Sequence, residues 1–320
     1  MDFQILLSNL TNPTLLFFVL GIIASAVKSD LEIPASSSKF ISLYLLFSIG
    51  FKGGQELAHS GFTTEIFYSL LFGLLIASFV PFYTFFILKK KMSISDAGAV
   101  AAAYGSVSAV TFVAASSFLE AQAIHFGGHM VAVMALMESP AIIVGVILIM
   151  KYEKVSSKES NLGHIVKHSF TNGSVLMVLG SLIIGLVADT KQAEGIKPFT
   201  TDIFKGFLAI FLLEMGMVTA KRFGAFVRYG WFAILFAIVI PAFNGVWVAW
   251  ASQFVSQDVG NRFIFAILAA SASYIAVPAA MRLAAPKADP GLYIPMAIGI
   301  TFPFNITVGI PLYFFVVNYT

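Results

Sequence analysis

Apolar stretches separated by short polar breaks fill almost the whole chain, and ten of them approach or reach the 17 to 25 residues that cross a bilayer as helix. They run Pro13–Val27, Ser37–Gly53, Glu65–Leu88, Ser95–Phe118, Gly128–Met150, Gly173–Ala188, Phe204–Ala220, Tyr229–Gln253, Arg262–Ala284 and Gly291–Val317. The first and sixth are short for a full crossing. The pattern predicts an all-α polytopic membrane protein with ten transmembrane helices.

The fourth stretch departs from the rest. Between the Ala-rich run Ala99–Ala103 and the apolar run Ala109–Ala115 lie Gly105, Ser106, Val107 and Ser108, with Thr111 one turn further on. A helix inside a bilayer tolerates freed backbone groups only where protein or water satisfies them, so a polar, Gly-containing interruption predicts a broken helix enclosed by others. The same layout returns in the ninth stretch, where Phe265–Ala270 leads through Ser271, Ala272 and Ser273 to Tyr274 and Pro278. At an offset of 165 residues, Ser106 aligns with Ser271 and Ser108 with Ser273. Phe40–Gly50 and Phe207–Gly216 also match, as do Met137–Ile142 and Phe302–Ile306, at nearly the same offset. Five spans on either side of one polar loop invert the second half, which predicts two inverted five-helix repeats with two broken, crossing helices. The domains expected are residues 1–150 as the first repeat, 151–168 as a cytoplasmic linker, and 169–320 as the second, inverted repeat.

Composition narrows the class. With 58% hydrophobic and 11% charged residues, the chain has more apolar surface than a soluble core can hide. Cysteine is absent, so thiolate metal sites and disulfides are excluded. With the N-terminus outside, 14 of the 19 Lys and Arg residues fall in internal loops, which predicts both termini on the external, periplasmic side of an inner (plasma) membrane. Those basic residues form no single patch, so no nucleic-acid partner is expected. Met1-Asp2 begins without a basic, apolar leader pattern, so no removable signal peptide is expected.

Each break exposes the first amides of a following half-helix, whose dipole end is positive and attracts anions. Gly105, Ser106, Ser108, Thr111, Ser271 and Ser273 are therefore candidate anion-binding residues; the competing reading is that small residues merely let membrane helices approach. Glu138, beside Ser139-Pro140 in the fifth stretch, is a carboxylate deep in a span, and such a group is a functional candidate by default. With Asn305 and Thr307 from the corresponding place in the tenth stretch, it offers the hard oxygen ligands of a small cation, so these three are the candidate sodium site. Glu214 is a second acid in a span, read as part of a scaffold segment. His125/His129 and His164/His168 have ligand-like spacing but no acidic third ligand; solvated or interfacial histidines are expected, and no transition-metal site. Trp231, Trp247 and Trp250 fit interfacial belts. No nucleotide loop or nucleophile–base arrangement occurs, so neither an enzyme nor a cofactor beyond a coupling ion is expected.

Three motifs, Tyr104–Phe112, Leu136–Ala141 and Gly299–Tyr313, give the chain its resemblance to the sodium-dependent bicarbonate transporter family known from cyanobacteria. The resemblance covers essentially the whole chain. It implies ten spans in two inverted repeats, a core domain of spans three to five and eight to ten, and a gate or scaffold domain of spans one, two, six and seven. It further implies a homotrimer in the lipid bilayer, bicarbonate held between the broken helices, and Na+ as coupling ion. Cyanobacterial members have a longer cytoplasmic loop and a PII-like cytoplasmic regulator; here only Lys151–His168 is available for such a partner. The function expected is Na+-dependent symport of bicarbonate or a similar small monovalent anion by alternating access. The alternatives are a Na+/H+ antiporter or organic-anion:Na+ symporter of the same architecture, and a membrane sensor or scaffold that recruits a cytoplasmic partner.

Overall fold

The structure is a computed structural model that describes residues 13–61, 63–153, 171, 173–226 and 230–320. Most of the expected 151–168 linker, with His164 and His168, lies outside the described residues. Within them the chain is helical and has no strand. In order come α1 (Pro13–Ala26), α2 (Ala35–Ser60), α3 (Thr64–Leu88), α4 (Ile94–Gly105), α5 (Ala109–Ala121), α6 (His129–Glu153) and α7 (Gly173–Val187). The short α8 (Thr190–Glu194) leads to α9 (Phe204–Phe226), α10 (Gly230–Ala251), α11 (Val259–Ala270), α12 (Ala276–Ala284) and α13 (Pro290–Tyr319).

Helix starts follow local chemistry. The side chains of Thr63, Ser93 and Asp258 accept the amides of Ile66, Asp96 and Asn261 at 3.4, 3.1 and 2.8 Å, closing the first turns of α3, α4 and α11. Asp289 does the same for Gly291 at 2.7 Å in α13. That last helix is irregular within, with π-helical turns at Ala297–Thr301 and Asn305–Gly309.

Among the described residues, six segments are long and apolar enough to cross a membrane: α3, α4 with α5, α6, the Pro198–Lys221 segment, the Gly230–Phe254 segment and α13. The helices α1, α7 and α11 are apolar but shorter, and α2 is diluted by Lys39, Lys52, Gln55 and Glu56. The α4–α5 segment is the most enclosed of the six. Its most apolar window is 89% buried, against 39% for α3, so protein rather than lipid surrounds the expected break. The tryptophans divide: Trp231 and Trp250 are exposed, whereas Trp247 turns partly inward and donates to Asn244 Oδ1 at 3.4 Å.

Two helix pairs pack backbone to backbone. A Cβ on Gly21 of α1 would strike the Leu213 carbonyl of α9, and one on Gly216 of α9 would strike the Phe18 carbonyl of α1. The relation recurs between α2 and α7, where Gly54 faces the Leu182 carbonyl and Gly185 faces the Phe51 carbonyl. Small residues at such points let helices approach closely enough for dispersion to hold them in a lipid-like medium. A third reciprocal contact joins Gly53 of α2 to Gly128, in the loop that precedes α6. The α4–α6 interface also has glycines, Gly145 facing Ala102 and the Gly98 carbonyl, but Gly98 meets the Ile149 side chain first; α3 packs on both helices, and α10 packs on α11.

Gly54→Val and Gly216→Val place side chains where these backbones touch, and overpacking of this kind costs about 1–3 kcal/mol. The midpoint of thermal unfolding of the purified protein in detergent is expected to drop by several degrees in each. Gly180→Val, on α7 with open space around it, carries the same helix-propensity cost without the clash and serves as reference.

Candidate functional site

Both expected breaks are present. The first helix stops at Gly105, whose Cα lies against the ring of Pro81 in α3, leaving no room for a Cβ. Ser106 is extended, with φ −82° and ψ 175°, and α5 restarts after Ser108. In the second break α11 stops at Ala270, and Ser271 is extended with φ −83° and ψ 167° before α12 restarts at Ala276. Two serines aligned by sequence offset thus share one backbone conformation.

The breaks bond to each other. Ser108 N–H donates to Ser271 Oγ at 2.9 Å, and Ser273 N–H donates to the Ala103 carbonyl at 2.8 Å. Ser271 Oγ in turn donates to the Leu268 carbonyl at 2.9 Å. Ser108 Oγ accepts the Thr111 amide at 3.2 Å and caps α5, whereas no side chain caps α12. Supporting helices take the remaining groups. Ser106 Oγ donates to the backbone carbonyl of Glu138 at 3.4 Å, and Asn305 Nδ2 donates to the Ala270 carbonyl at 2.7 Å. Tyr313 holds Asn305 from the other side, its hydroxyl donating to Oδ1 at 3.0 Å. Tyr104, beside the first break, meets Thr301 Oγ1 at 2.7 Å, and Thr301 donates to the Ala237 carbonyl at 2.7 Å.

A cavity of about 30 Å³ adjoins the crossing. Ser108, Ser273, Tyr274 and Glu138 line it from one side, and Leu46 of α2 with Ser174 of α7 from the other. Its volume is room for about one or two waters. Its polar groups are hydroxyls, which can donate to an anion without adding charge, and one carboxyl group, which can balance a cation.

The expected site residues therefore separate by position. Ser108, Ser273 and Glu138 face the cavity. Gly105, Ser106, Thr111 and Ser271 shape or tie the breaks instead. Asn305 and Thr307 are not among the cavity's lining residues: Asn305 is fully buried and occupied by Ala270 and Tyr313, and Thr307 Oγ1 donates to the Pro303 carbonyl at 2.7 Å. The structure thus does not bring the three expected sodium ligands into one cavity. Among the described residues no group of three His, Asp, Glu or Cys side chains could hold a metal ion. Tyr274 and Ser174 went unremarked as site residues in the sequence. Tyr274 carried a signal, as a hydroxyl directly after the Ser-Ala-Ser break; Ser174 carried none, because it arrives from another helix. Glu214 on α9 is half-buried, interacts with Ser38, and has one carboxylate oxygen without a partner among the described residues. His125 is exposed, as expected of a solvated histidine, but His129 is buried in the first turn of α6, and its Nε2 has no partner among the described residues.

An all-helical, multi-pass membrane protein with two helices interrupted at its centre is the class that this fold and site define. Residues 13–318, nearly the whole chain, match the Na+-dependent bicarbonate transporter superfamily, and the chain belongs to that superfamily. A search of curated proteins finds no match.

Ser271→Ala removes the hydroxyl oxygen that accepts the buried Ser108 amide, and Asn305→Ala strands the Ala270 carbonyl, while the Tyr313 hydroxyl keeps the Pro241 carbonyl at 3.1 Å. Each leaves buried polar groups unmade, at a cost of about 1–3 kcal/mol. Unfolding midpoints in detergent should fall for both variants, and Thr307→Val, whose bond lies within its own helix, should change them less.

Proposed function

We propose that this chain moves bicarbonate inward with Na+ by alternating access, the anion held at the crossing of the two broken helices. The observation that carries the reading is the cavity at that crossing, where hydroxyls from both breaks and one carboxyl group meet two helices of a separately packed set. The family to which the chain belongs supplies the substrate and the coupling ion. Glu138 is the cation-balancing group in this reading. Asn305 acts through the Ala270 carbonyl, as a positioning residue for the second break, and Thr307 shapes the adjacent π-helical turn.

The same reading takes α1, α2, α7 and α11–α12 as crossings beside the six long apolar segments, which gives ten in two inverted repeats, 1–150 and 169–320. The shared conformation of Ser106 and Ser271 supports the repeat. The glycine-packed pairs α1–α9 and α2–α7 form the gate or scaffold, and α3 to α6 with α10 to α13 form the moving core. Both termini lie outside the plasma membrane, three copies assemble as a homotrimer, and the 151–168 linker is the place for a cytoplasmic regulator.

Uptake of labelled bicarbonate into vesicles containing the purified protein tests this. Uptake is expected with an inward Na+ gradient and is expected to collapse when Na+ is replaced by choline or K+. No uptake in either condition overturns the proposal, and Na+-linked proton movement without bicarbonate uptake points to an antiporter. Within the reading, Glu138→Gln raises the half-saturating Na+ concentration while leaving the unfolding midpoint close to that of the parent, because the amide removes charge at nearly constant volume. Ser108→Asp or Ser273→Asp puts negative charge where the anion sits and should abolish uptake in a folded protein. Normal transport by both would move the site elsewhere.

A further inference from the structure

A second cavity, of about 220 Å³, opens where the loop between α5 and α6 meets α2. Its rim is exposed and carries Glu56, Glu120 and His125. Deeper in, Lys52 is half-buried beside the buried ring of Phe204, its Nζ 5.8 Å from the ring centre. The cavity runs in line with the one at the breaks. On α2, Leu46 lines the one and Ile49 the other; on α6, Met134 lines the one and Val131 the other. One helical turn, roughly 5 Å, separates them on each wall.

The charges in this second cavity do not cancel evenly. Glu120 is paired to Lys205, 3.3 Å away. Glu56, one turn further along α2, lies within the field of Lys52 and offsets part of it. Lys52 makes no ion pair within 4 Å among the described residues, so Glu56 offsets its charge without closing it off from a third ion. A cation left without a close partner inside a cleft concentrates counter-ions of small size.

We infer that this cavity is a capture site for a small monovalent oxyanion, with Lys52 as the charge that draws the anion toward the crossing of the broken helices. The inference rests on the bicarbonate reading above and adds a site that the breaks do not contain. Gly53, which also meets Gly128, forms part of the wall. Lys52 acts on the approach of the anion, so its removal affects half-saturation more than the maximal rate.

The absence of cysteine from the chain makes a direct test simple, because Lys52→Cys introduces a single thiol. Bicarbonate uptake by cells producing this variant is measured before and after treatment with membrane-impermeant thiol reagents of opposite charge. The half-saturating bicarbonate concentration should rise ~3- to 10-fold in the variant. An aminoethyl adduct, which restores the positive charge, should bring it back toward the parent value, and a sulfonatoethyl adduct should raise it further. Lys52→Arg should stay near the parent. Glu56→Gln, which removes the opposing charge without touching Lys52, should lower the half-saturating concentration at low ionic strength and covers the case of a Lys52 variant that fails to reach the membrane. A half-saturating concentration unchanged by adducts of either sign overturns the inference while the parent still transports. A parent without uptake overturns the bicarbonate reading and the capture site with it.

Discussion

When a helix stops inside a membrane, every amide and carbonyl it releases must find a partner within the protein, because hydrocarbon offers none. The centre of this chain answers that demand twice, and each answer uses the other. The amide of Ser108 needs a hydroxyl that lies 163 residues further along, on Ser271. The amide of Ser273 needs the carbonyl of Ala103. Asn305 closes the Ala270 carbonyl, and Tyr313 fixes Asn305. Neither break is satisfied without the other half of the chain, so the two halves are committed to one arrangement at this point and to their helical surroundings through it.

Around that knot the packing is of two kinds. The α1–α9 and α2–α7 pairs meet at carbonyl-on-glycine contacts within long helix–helix interfaces, and the length of those interfaces suits elements that hold still relative to each other. Along the seam between α2 and the α5–α6 wall, packing is interrupted by two cavities, each lined in part by polar side chains. Loose packing at a seam and tight packing on either side is the distribution that permits one body to move against another while both stay intact.

Much of the fold was legible in the sequence because hydropathy and bilayer thickness act on the same residues. The breaks were legible too: Gly and Ser in the middle of an apolar run leave few other structures that satisfy the backbone. The roles of individual side chains were harder. Ser106, Ser271 and Asn305 have the donors and acceptors expected of ligands, but those groups are spent on backbone carbonyls and amides of neighbouring elements, and no pattern along one helix states what its neighbour lacks. Tyr274 and Ser174 reach the cavity through tertiary packing, and the π-helical turns in α13 come from the same source. His129, expected to be solvated or interfacial, is enclosed; the chain just before it is tied to α11, where Asn261 accepts the Gly127 amide at 2.7 Å.

The contact between Gly53 and Gly128 has a mechanical consequence. Side chains that interlock across a moving seam must leave their rotamer wells before the surfaces can slide, and each departure raises the barrier. Two glycines facing one another leave only a Val131 methyl and the Glu56 Cβ at the contact. In the motion proposed above, the loop before α6 would rest on α2 as a plain bearing rests on a shaft, close enough to guide and smooth enough not to resist. A bulkier pair would turn the bearing into a ratchet, with resting positions set by side-chain shape instead of by the ions bound nearby.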